Sequence, residues 1–296
     1  MAAGDVIRNI KRRGPADGEM IAALADYLDE HGRIYSESPD DIVVDFGENV
    51  FGVLHPAFDG TADVWSYIDV GEEAALLIDT GLGDGDYRAL AERLTGGLPL
   101  TVVNTHHHPD HTGSNGQFGE VYVHEYSLAY INPKKDRKCT AHEYKVHGCA
   151  DGTRFRLGPE HEAELIYTPG HAQGECCFLD RKRKILFSGD EIMTGRVSAP
   201  GQRSRKPYGE NTCVTAFAVG TARLLEETAD IDVCLAGHNI PAVSPGAIKQ
   251  IHDTCQRIMD DPEGYDFLSE NYVPGEVVRI KTMPGLGEFE YKADGI

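Results

Sequence analysis

The sequence is poor in basic residues. It contains 28 Lys and Arg against 48 Asp and Glu, which gives a formal net charge of -20 at pH 7. Nucleic acid backbones are bound through clusters of basic side chains, so this charge argues against a nucleic acid partner. A strongly acidic surface mainly keeps a protein in solution.

Long apolar runs are also lacking. No stretch approaches the roughly 18 uncharged apolar residues that a membrane-spanning helix needs. The basic segment at residues 1–14 is not followed by the apolar core of an export signal. We therefore expect a cytoplasmic protein that does not interact with a membrane.

The cysteines do not form a disulfide framework. There are seven, an odd number, in a chain of 296 residues that is too long to need disulfides for stability. Cys176 and Cys177 lie in the strand-like run ECCFLD, where alternation sends them to opposite faces, and we interpret both as buried structural residues. Cys139 and Cys149, with two histidines between them, form a candidate metal group, although their spacing matches no usual structural zinc site.

Periodicity divides the chain into helices and strands. Residues 17–31 have the apolar spacing of a helix, and Gly32 supplies a stop signal. From residue 42 onward, short β-branched and aromatic runs bounded by Gly, Pro and Asp predict strands, and helical patterns alternate with them. The tail segments EVVRIKT and GEFEYKA predict a final pair of strands. We see no repeat or linker, and expect a helical extension over residues 1–40 and a catalytic domain over 41–296, built as layers of sheet and helix.

Four candidate ligands, three histidines and an aspartate, fall in the pattern H-x-H-x-D-H within the segment NTHHHPDHTGSNG. His106 and His108 are two residues apart at the end of a predicted strand, so their side chains point the same way and can bind one ion. Asp110 and His111 then reach a neighbouring ion. The segment therefore predicts one half of a metal centre with two ions.

Three further residues of the same chemical type occupy matching positions. His171, Asp190 and His238 each follow a predicted strand directly and stand beside a glycine. Glycine permits the tight backbone and leaves room around an ion, while the strand ends supply the rigidity that coordination needs. We predict that these residues complete the metal centre.

The motif T-H-x-H-x-D-H, from Thr105 to His111, resembles the hallmark of the metallo-beta-lactamase superfamily, and the later motifs match in order. The resemblance covers roughly residues 42–238 and implies an α+β fold, the four-layer αββα sandwich. The segment IDTG at residues 78–81 resembles an early structural motif, which implies that Asp79 lies behind the ligands. By the same resemblance, the first metal is held by His106, His108 and His171, the second by Asp110, His111 and His238, and Asp190 bridges both.

Differences between this sequence and particular branches of the superfamily narrow the choice of branch. True zinc beta-lactamases place no Asp at the position of Asp190, and nucleic-acid-processing members insert a large domain for which residues 191–237 are too few. Flavodiiron-type oxidoreductases carry Glu at the position of His108. The resemblance therefore points to hydrolases similar to glyoxalase II or the acyl-homoserine lactonases, although lactonases carry a tyrosine shortly after the bridging Asp and residues 191–194 do not.

The predicted reaction is the hydrolysis of a thioester, ester or lactone of a small acyl substrate by a metal-bound hydroxide. Two divalent ions lower the pKa of bound water to about 7, and Asp110 orients the nucleophile and accepts its proton. The ligands suit zinc, and iron or manganese are alternatives. Three alternative functions remain open. They are a phosphodiesterase or other phosphoryl hydrolase, a beta-lactamase side activity, and a redox or non-catalytic metal protein.

Two basic groups near the predicted site are candidates for contact with an anionic substrate. One follows the helix after the histidine motif and the other lies in a segment flanked by Pro and Gly after Asp190. The second group is equally well explained as a solvated loop or as a contact in a homodimer. The candidate residues are Lys134, Lys135, Arg203, Arg205, Lys206 and Tyr208.

Overall fold

Two β-sheets packed face to face form the centre of the computed structural model, which describes residues 2–11, 18–131, 143–199, 201, 212–270 and 275–296. The first sheet has eight strands that follow one another in chain order. They are β1 (Gly32–Tyr35), β2 (Ser38–Asp45), β3 (Val50–His55), β4 (Val64–Val70), β5 (Ala75–Ile78), β6 (Leu100–Asn104), β7 (Glu120–His124) and β8 (Lys145–Cys149).

The second sheet has six strands, which also lie side by side in chain order. Its members are β9 (Arg154–Gly158), β10 (His161–Tyr167), β11 (Cys176–Asp180), β12 (Ile185–Gly189), β14 (Val233–Ala236) and β15 (Ala242–Val243). Their order across the sheet is β15-β14-β12-β11-β10-β9. β11 is antiparallel to both β10 and β12, whereas β12 and β14 are parallel. The carboxyl ends of β10, β12 and β14 consequently lie at the same edge.

Helices cover the outer faces of both sheets. The chain contains α1 (Ala3–Arg8), α2 (Gly18–His31), α3 (Tyr87–Leu94), α4 (Pro109–Thr112), α5 (Val214–Glu227) and α6 (Gly246–Asp260). Leu90 of α3 packs in a core on the outer face of the first sheet, and Phe217 of α5 and Ile251 of α6 pack in one on the outer face of the second. A third core fills the space between the sheets. The predicted four-layer αββα sandwich is confirmed.

The strands carry apolar side chains on both faces because both faces are covered. In β4 all seven residues are buried; Trp65 faces the other sheet, whereas Ile68 faces α3. Cys176 likewise lies between the sheets and Cys177 lies under the outer helices, and both are buried free thiols. This is the alternation that the run ECCFLD predicts.

The N-terminal helices pack against the sandwich rather than standing apart from it. Ile7 of α1 and Leu28 of α2 belong to the core between the two sheets. Residues 32–40, which the sequence placed in the helical extension, form β1 and the beginning of β2 of the first sheet. Their polar sequence has no clear alternation, so the strands could not be recognised from it. The division of the chain into two domains stays a prediction.

A smaller third sheet lies beside the sandwich. It contains β13 (Gly195–Ala199), β16 (Phe267–Glu270), β17 (Val277–Met283) and β18 (Gly287–Tyr291), in the order β13-β18-β17-β16. β17 and β18 are the terminal strands that the sequence predicts, and their partners β13 and β16 were not predicted. Within the described ranges, no helix is long and apolar enough to cross a membrane.

Candidate metal centre

All seven predicted ligands converge at the ends of strands. His106 and His108 follow β6, while Asp110 and His111 lie in the short helix α4. His171, Asp190 and His238 follow β10, β12 and β14, whose carboxyl ends share one edge of the second sheet. The two sheets thus present their ligands to each other across the end of the sandwich.

Three histidines form the first group of donor atoms. His106 Nε2 lies 3.0 Å from His108 Nδ1, and His108 Nδ1 lies 3.2 Å from His171 Nε2. All three residues are buried. With zinc–nitrogen bonds of 2.0–2.1 Å, the edge of a tetrahedral site is about 3.3 Å, so these spacings fit one tetrahedral ion.

Two histidines and an aspartate form the second group. His238 Nε2 is 3.4 Å from both His111 Nε2 and Asp110 Oδ2. Asp110 Oδ2 and His111 Nε2 are 3.9 Å apart. Asp110 is the partly exposed member, with 32% of its side chain accessible, whereas His111 is fully buried. The second group is therefore open to solvent on the side of Asp110.

Asp190 lies between the two groups and faces both. Its Oδ1 is 3.4 Å from His111 Nε2, and its Oδ2 is 3.4 Å from His171 Nε2 and 3.3 Å from His238 Nε2. Asp190 is only 4% exposed, and its Oδ1 has no hydrogen bond partner. A buried carboxylate oxygen without a donor requires a compensating group. The donor set fits a pair of cations with Asp190 between them.

Hydrogen bonds on the far side of the histidine rings orient the ligands. His171 Nδ1 lies 3.1 Å from the carbonyl oxygen of Ser198 in β13, and His238 Nδ1 lies 2.6 Å from that of Asp63. Each Nδ1–H donates to its carbonyl, which leaves Nε2 without a proton and available to a metal. Because these acceptors are backbone atoms, no residue type in the sequence could reveal them.

Asp79 lies behind His111, where the resemblance implies it. Its Oδ2 accepts hydrogen bonds from His111 Nδ1 and the Thr105 hydroxyl, each at 2.8 Å, and its Oδ1 accepts from the Thr105 backbone N–H at 2.8 Å. The backbone of Asp79 has a φ of 63°, in the left-handed region that non-glycine residues rarely adopt. The three hydrogen bonds hold this strained residue against the metal centre.

Burial and neighbouring charges shift the pKa values of the predicted ligands. Burial, together with the neighbouring His111 and His108, lowers the pKa of His106 well below its usual value. Burial would raise the pKa of Asp190, but His238 and His111 hold it well below the ordinary range. The neutral His106 imidazole and the ionised Asp190 carboxylate are the forms that bind metal ions. Against the effect of burial, Asp190 raises the pKa of His111 and His238, so an ion that binds there displaces their protons.

Sequence reasoning missed one residue of the site, Glu175. It is fully buried, with Oε2 3.1 Å from His106 Nδ1, and its Oε1 accepts the backbone N–H of Asp190 at 3.1 Å. The available signal was a charged residue directly before the apolar residues CCFL of this run. A carboxylate at the end of a buried strand, next to a ligand loop, is rarely there for packing.

The predicted substrate contacts lie outside the described residues. These are Lys134, Lys135, Arg203, Arg205, Lys206 and Tyr208. Cys139 also lies outside them, so the candidate group of Cys139 and Cys149 stays a prediction.

The model of the Metallo-beta-lactamase superfamily matches residues 59–238. An acyl-coenzyme A thioesterase, MBLAC2 of Homo sapiens, is 28% identical over 234 residues, which cover 65% of this chain and 78% of that protein. A hydroxyacylglutathione hydrolase of Rhizobium meliloti (strain 1021) is 30% identical over 139 residues, covering 45% of this chain and 41% of that protein. Among solved structures, a metallo-beta-lactamase from Pontibacter korlensis has a TM-score of 0.56 at 21% identity and covers 73% of this chain and 99% of its own, a likeness of fold.

Proposed function

Because the chain belongs to the metallo-beta-lactamase superfamily and is a hydrolase of that superfamily, we propose that it cleaves acyl thioesters with two divalent metal ions. The main support for two ions is the position of Asp190, whose carboxylate faces both groups of histidine donors. The choice of thioester is supported by relatives named as acyl-coenzyme A thioesterase and hydroxyacylglutathione hydrolase. Both names describe cleavage of a thioester bond.

The ions proposed for the two groups are zinc. The first group is three imidazole nitrogens, and the second is two imidazoles and a carboxylate, a donor set that suits zinc but also binds iron and manganese. When bound, two such ions polarise a carbonyl group and activate water at neutral pH. Elemental analysis of protein purified without added metal identifies the ions.

Asp110 is the residue proposed to handle the proton. Among the seven ligands it has the most exposed side chain, so an incoming substrate meets it first. Its Oδ2 is 3.4 Å from His238 Nε2, which places the carboxylate beside the second group rather than between the groups. From there it can orient the attacking water and accept its proton. The other carboxylate, Asp190, is enclosed by three histidines and serves to hold the centre together.

The proposed substrate is a small acyl group carried on an anionic thiol, such as coenzyme A or glutathione. This choice rests on the named relatives and on the basic residues Lys134, Lys135, Arg203, Arg205 and Lys206, which stay predicted contacts together with Tyr208. A cytoplasmic location and assembly into a homodimer likewise stay predictions.

The proposal is tested with a panel of substrates. Purified protein of known metal content is assayed on acyl-coenzyme A, a hydroxyacylglutathione, a lactone, a cephalosporin and a phosphodiester. We expect hydrolysis of the thioesters to have the highest kcat/KM. Preferential cleavage of the phosphodiester would show that the protein is a phosphoryl hydrolase and not a thioesterase. A fully metallated protein that hydrolyses none of the substrates would refute both functions.

The role proposed for Asp110 is tested with the variant Asp110→Asn. The amide keeps the size of the side chain but cannot accept the proton, so kcat should fall by about 10²–10⁴-fold. Metal content is measured on the same sample, because loss of the second ion would lower the rate for a different reason. Unchanged kcat in a fully metallated Asp110→Asn variant would remove Asp110 from the proposed mechanism.

A further inference from the structure

Glu175 is a buried carboxylate that touches two of the ligands at once. It begins the segment that leads into β11 and is fully buried. Its Oε2 lies 3.1 Å from His106 Nδ1, in the first group, and its Oε1 accepts the backbone N–H of Asp190, the residue between the groups. These two ligands are 84 positions apart in the sequence and belong to different sheets. Glu175 is therefore a direct link between the sheets at the metal centre.

The position of the His106 ring shows which of its nitrogens faces the other donor atoms and which faces Glu175. His106 Nε2 is 3.0 Å from His108 Nδ1, on the side where the donors converge, so the proton of the neutral ring must reside on Nδ1. That N–H donates to Thr105 Oγ1 at 3.0 Å, and Glu175 Oε2, a buried oxygen with no hydrogen bond of its own within the described part of the chain, lies 3.1 Å from the same nitrogen. A buried carboxyl oxygen this close to the ring favours the tautomer protonated at Nδ1 and raises the basicity of Nε2, the nitrogen that faces the other donors.

The contact with Asp190 fixes the backbone that carries the bridging carboxylate. Gly189, just before it, has a φ of 50°, and a Cβ added there would come within 2.6 Å of Glu175 Oε1 and 2.8 Å of Thr105. The backbone at Gly189 and the Glu175 carboxylate are thus packed in direct contact. A shift of Glu175 would move the backbone of Asp190 as well as the ring of His106.

We propose that Glu175 is a positioning residue that couples the two halves of the metal centre by orienting His106 and Asp190 together. The inference rests on the proposed function only in taking those two residues as metal ligands. It assigns to Glu175 no contact with substrate, and its effect on catalysis passes through the ligands.

Glu191 supplies a matched control. It is also fully buried and is the immediate neighbour of Asp190. Its carboxylate lies against the backbone of Gly170 and Gly220, where an added Cβ would meet its oxygens at 2.8 Å. Glu191 therefore shares the burial and the carboxyl group of Glu175, and burial raises the pKa of both, but it faces the backbone of the ligand His171 rather than a ligand side chain.

The test compares zinc binding by Glu175→Gln and Glu191→Gln. Gln at 175 replaces one carboxylate oxygen by an NH2 group, which must face either the Asp190 N–H or the His106 N–H, both donors. We expect Glu175→Gln to bind zinc about 10–100-fold more weakly in competition with a chromophoric chelator. Glu191→Gln should bind zinc like the unchanged protein. Cobalt substituted for zinc should give a changed visible spectrum in Glu175→Gln only, because the ligand field changes.

Two outcomes overturn the inference. One is zinc affinity and a cobalt spectrum in Glu175→Gln that equal those of the unchanged protein. The other is equal weakening of zinc binding in both variants, which would mean that any buried carboxyl group beside the centre has this effect. Thermal unfolding of the metal-free proteins distinguishes a positioning role of Glu175 from a structural one. If Glu175 only positions the ligands, metal-free Glu175→Gln should unfold at the same temperature as the unchanged metal-free protein.

A second variant covers the case in which Glu175→Gln does not fold. Glu175→Asp keeps the charge but withdraws the carboxylate by one methylene group, so zinc affinity should fall less than in the Gln variant but measurably. Unchanged affinity in Glu175→Asp would then contradict positioning. None of these measurements uses a thioester, so absence of thioesterase activity in a protein that binds zinc as described would refute the proposed function and leave this inference standing.

Discussion

At the scale of single residues, the metal centre depends on small side chains as much as on its ligands. Gly237 precedes His238, and its backbone N–H donates to the carbonyl of Gly189 at 2.7 Å. A Cβ at this position would come within 2.4 Å of Asp190 Oδ1 and 3.0 Å of the His111 ring. The loops that carry Asp190 and His238 therefore approach each other closely only because residue 237 has no side chain.

We expect Gly237→Ala to disrupt the metal centre without unfolding the protein. The added methyl group must displace the Asp190 carboxylate, and a misplacement of about 1 Å in a reacting group can cost about 10²-fold in rate. The measurements are kcat on a thioester and the number of ions bound per chain. Gly246→Ala, at the first residue of α6, is the control, because its nearest neighbour is Ser244 Oγ at an ordinary 3.6 Å. Full metal content and full kcat in Gly237→Ala would show that the loops carrying Asp190 and His238 tolerate a side chain at residue 237, which would contradict this explanation.

At the scale of elements, α5 buries one face against the second sheet and exposes the other. Phe217 is fully buried, and its ring meets that of Phe289 in β18 edge to face at 5.2 Å between centroids. Two residues further along, Val219 points away from the core and is 61% exposed. The helix thereby joins the sandwich to the third sheet through Phe217.

Phe217→Ala should destabilise the protein by about 3–5 kcal/mol, because a large cavity opens where α5 meets β18. Val219→Ala, on the exposed face of the same helix, should change the free energy of unfolding by less than about 0.5 kcal/mol. Denaturant unfolding of both variants measures the difference. Similar values for the two would mean that α5 does not pack as described.

At the scale of the whole molecule, a buried ionic cluster joins the sheets away from the metal centre. Arg183, in the turn between β11 and β12, places Nη1 2.8 Å from Asp69 Oδ1 in the first sheet and 3.2 Å from Asp180 Oδ2 in the second. The same Nη1 is 2.6 Å from His161 Nε2. Asp69, His161 and Asp180 have the spacing of a metal site, but the guanidinium of Arg183 already supplies the positive charge there. We interpret this cluster as structural.

This cluster predicts how stability depends on pH. Burial and the negative charge of Asp180 raise the pKa of Asp69 to about 8, whereas an unfolded Asp has a pKa of about 3.9. Between these values the folded state binds a proton that the unfolded state does not, so the contribution of Asp69 to stability falls as pH rises. Asp69→Asn keeps the uncharged form at every pH.

The difference in unfolding free energy between the unchanged protein and Asp69→Asn should therefore shrink or reverse as pH rises from about 4 to 8. Thermal or denaturant unfolding of the metal-free proteins at several pH values measures it. Asp230→Asn is a suitable control, because it makes the same substitution at an exposed aspartate. A difference that does not change with pH would mean that Asp69 is ionised throughout.

The sequence by itself predicted the seven residues that the structure brings together and the layers of sheet and helix. Residue types and their neighbours along the chain carry that information: the spacing of His106, His108, Asp110 and His111 is local, and the period of apolar residues distinguishes strand from helix. The hydrolase family and the αββα sandwich followed from the resemblance that these motifs carry.

Only the tertiary structure decided how the two halves of the centre meet. The link through Glu175, the carbonyl acceptors of Ser198 and Asp63, and the close approach at Gly237 join segments that are remote in sequence. Strands β1 and β13 were also missed, because their short polar sequences form strands only by pairing with β2 and β18. Hydrogen bonds between distant backbone atoms leave no periodic pattern in the chain, so they appear only when the sheets are assembled.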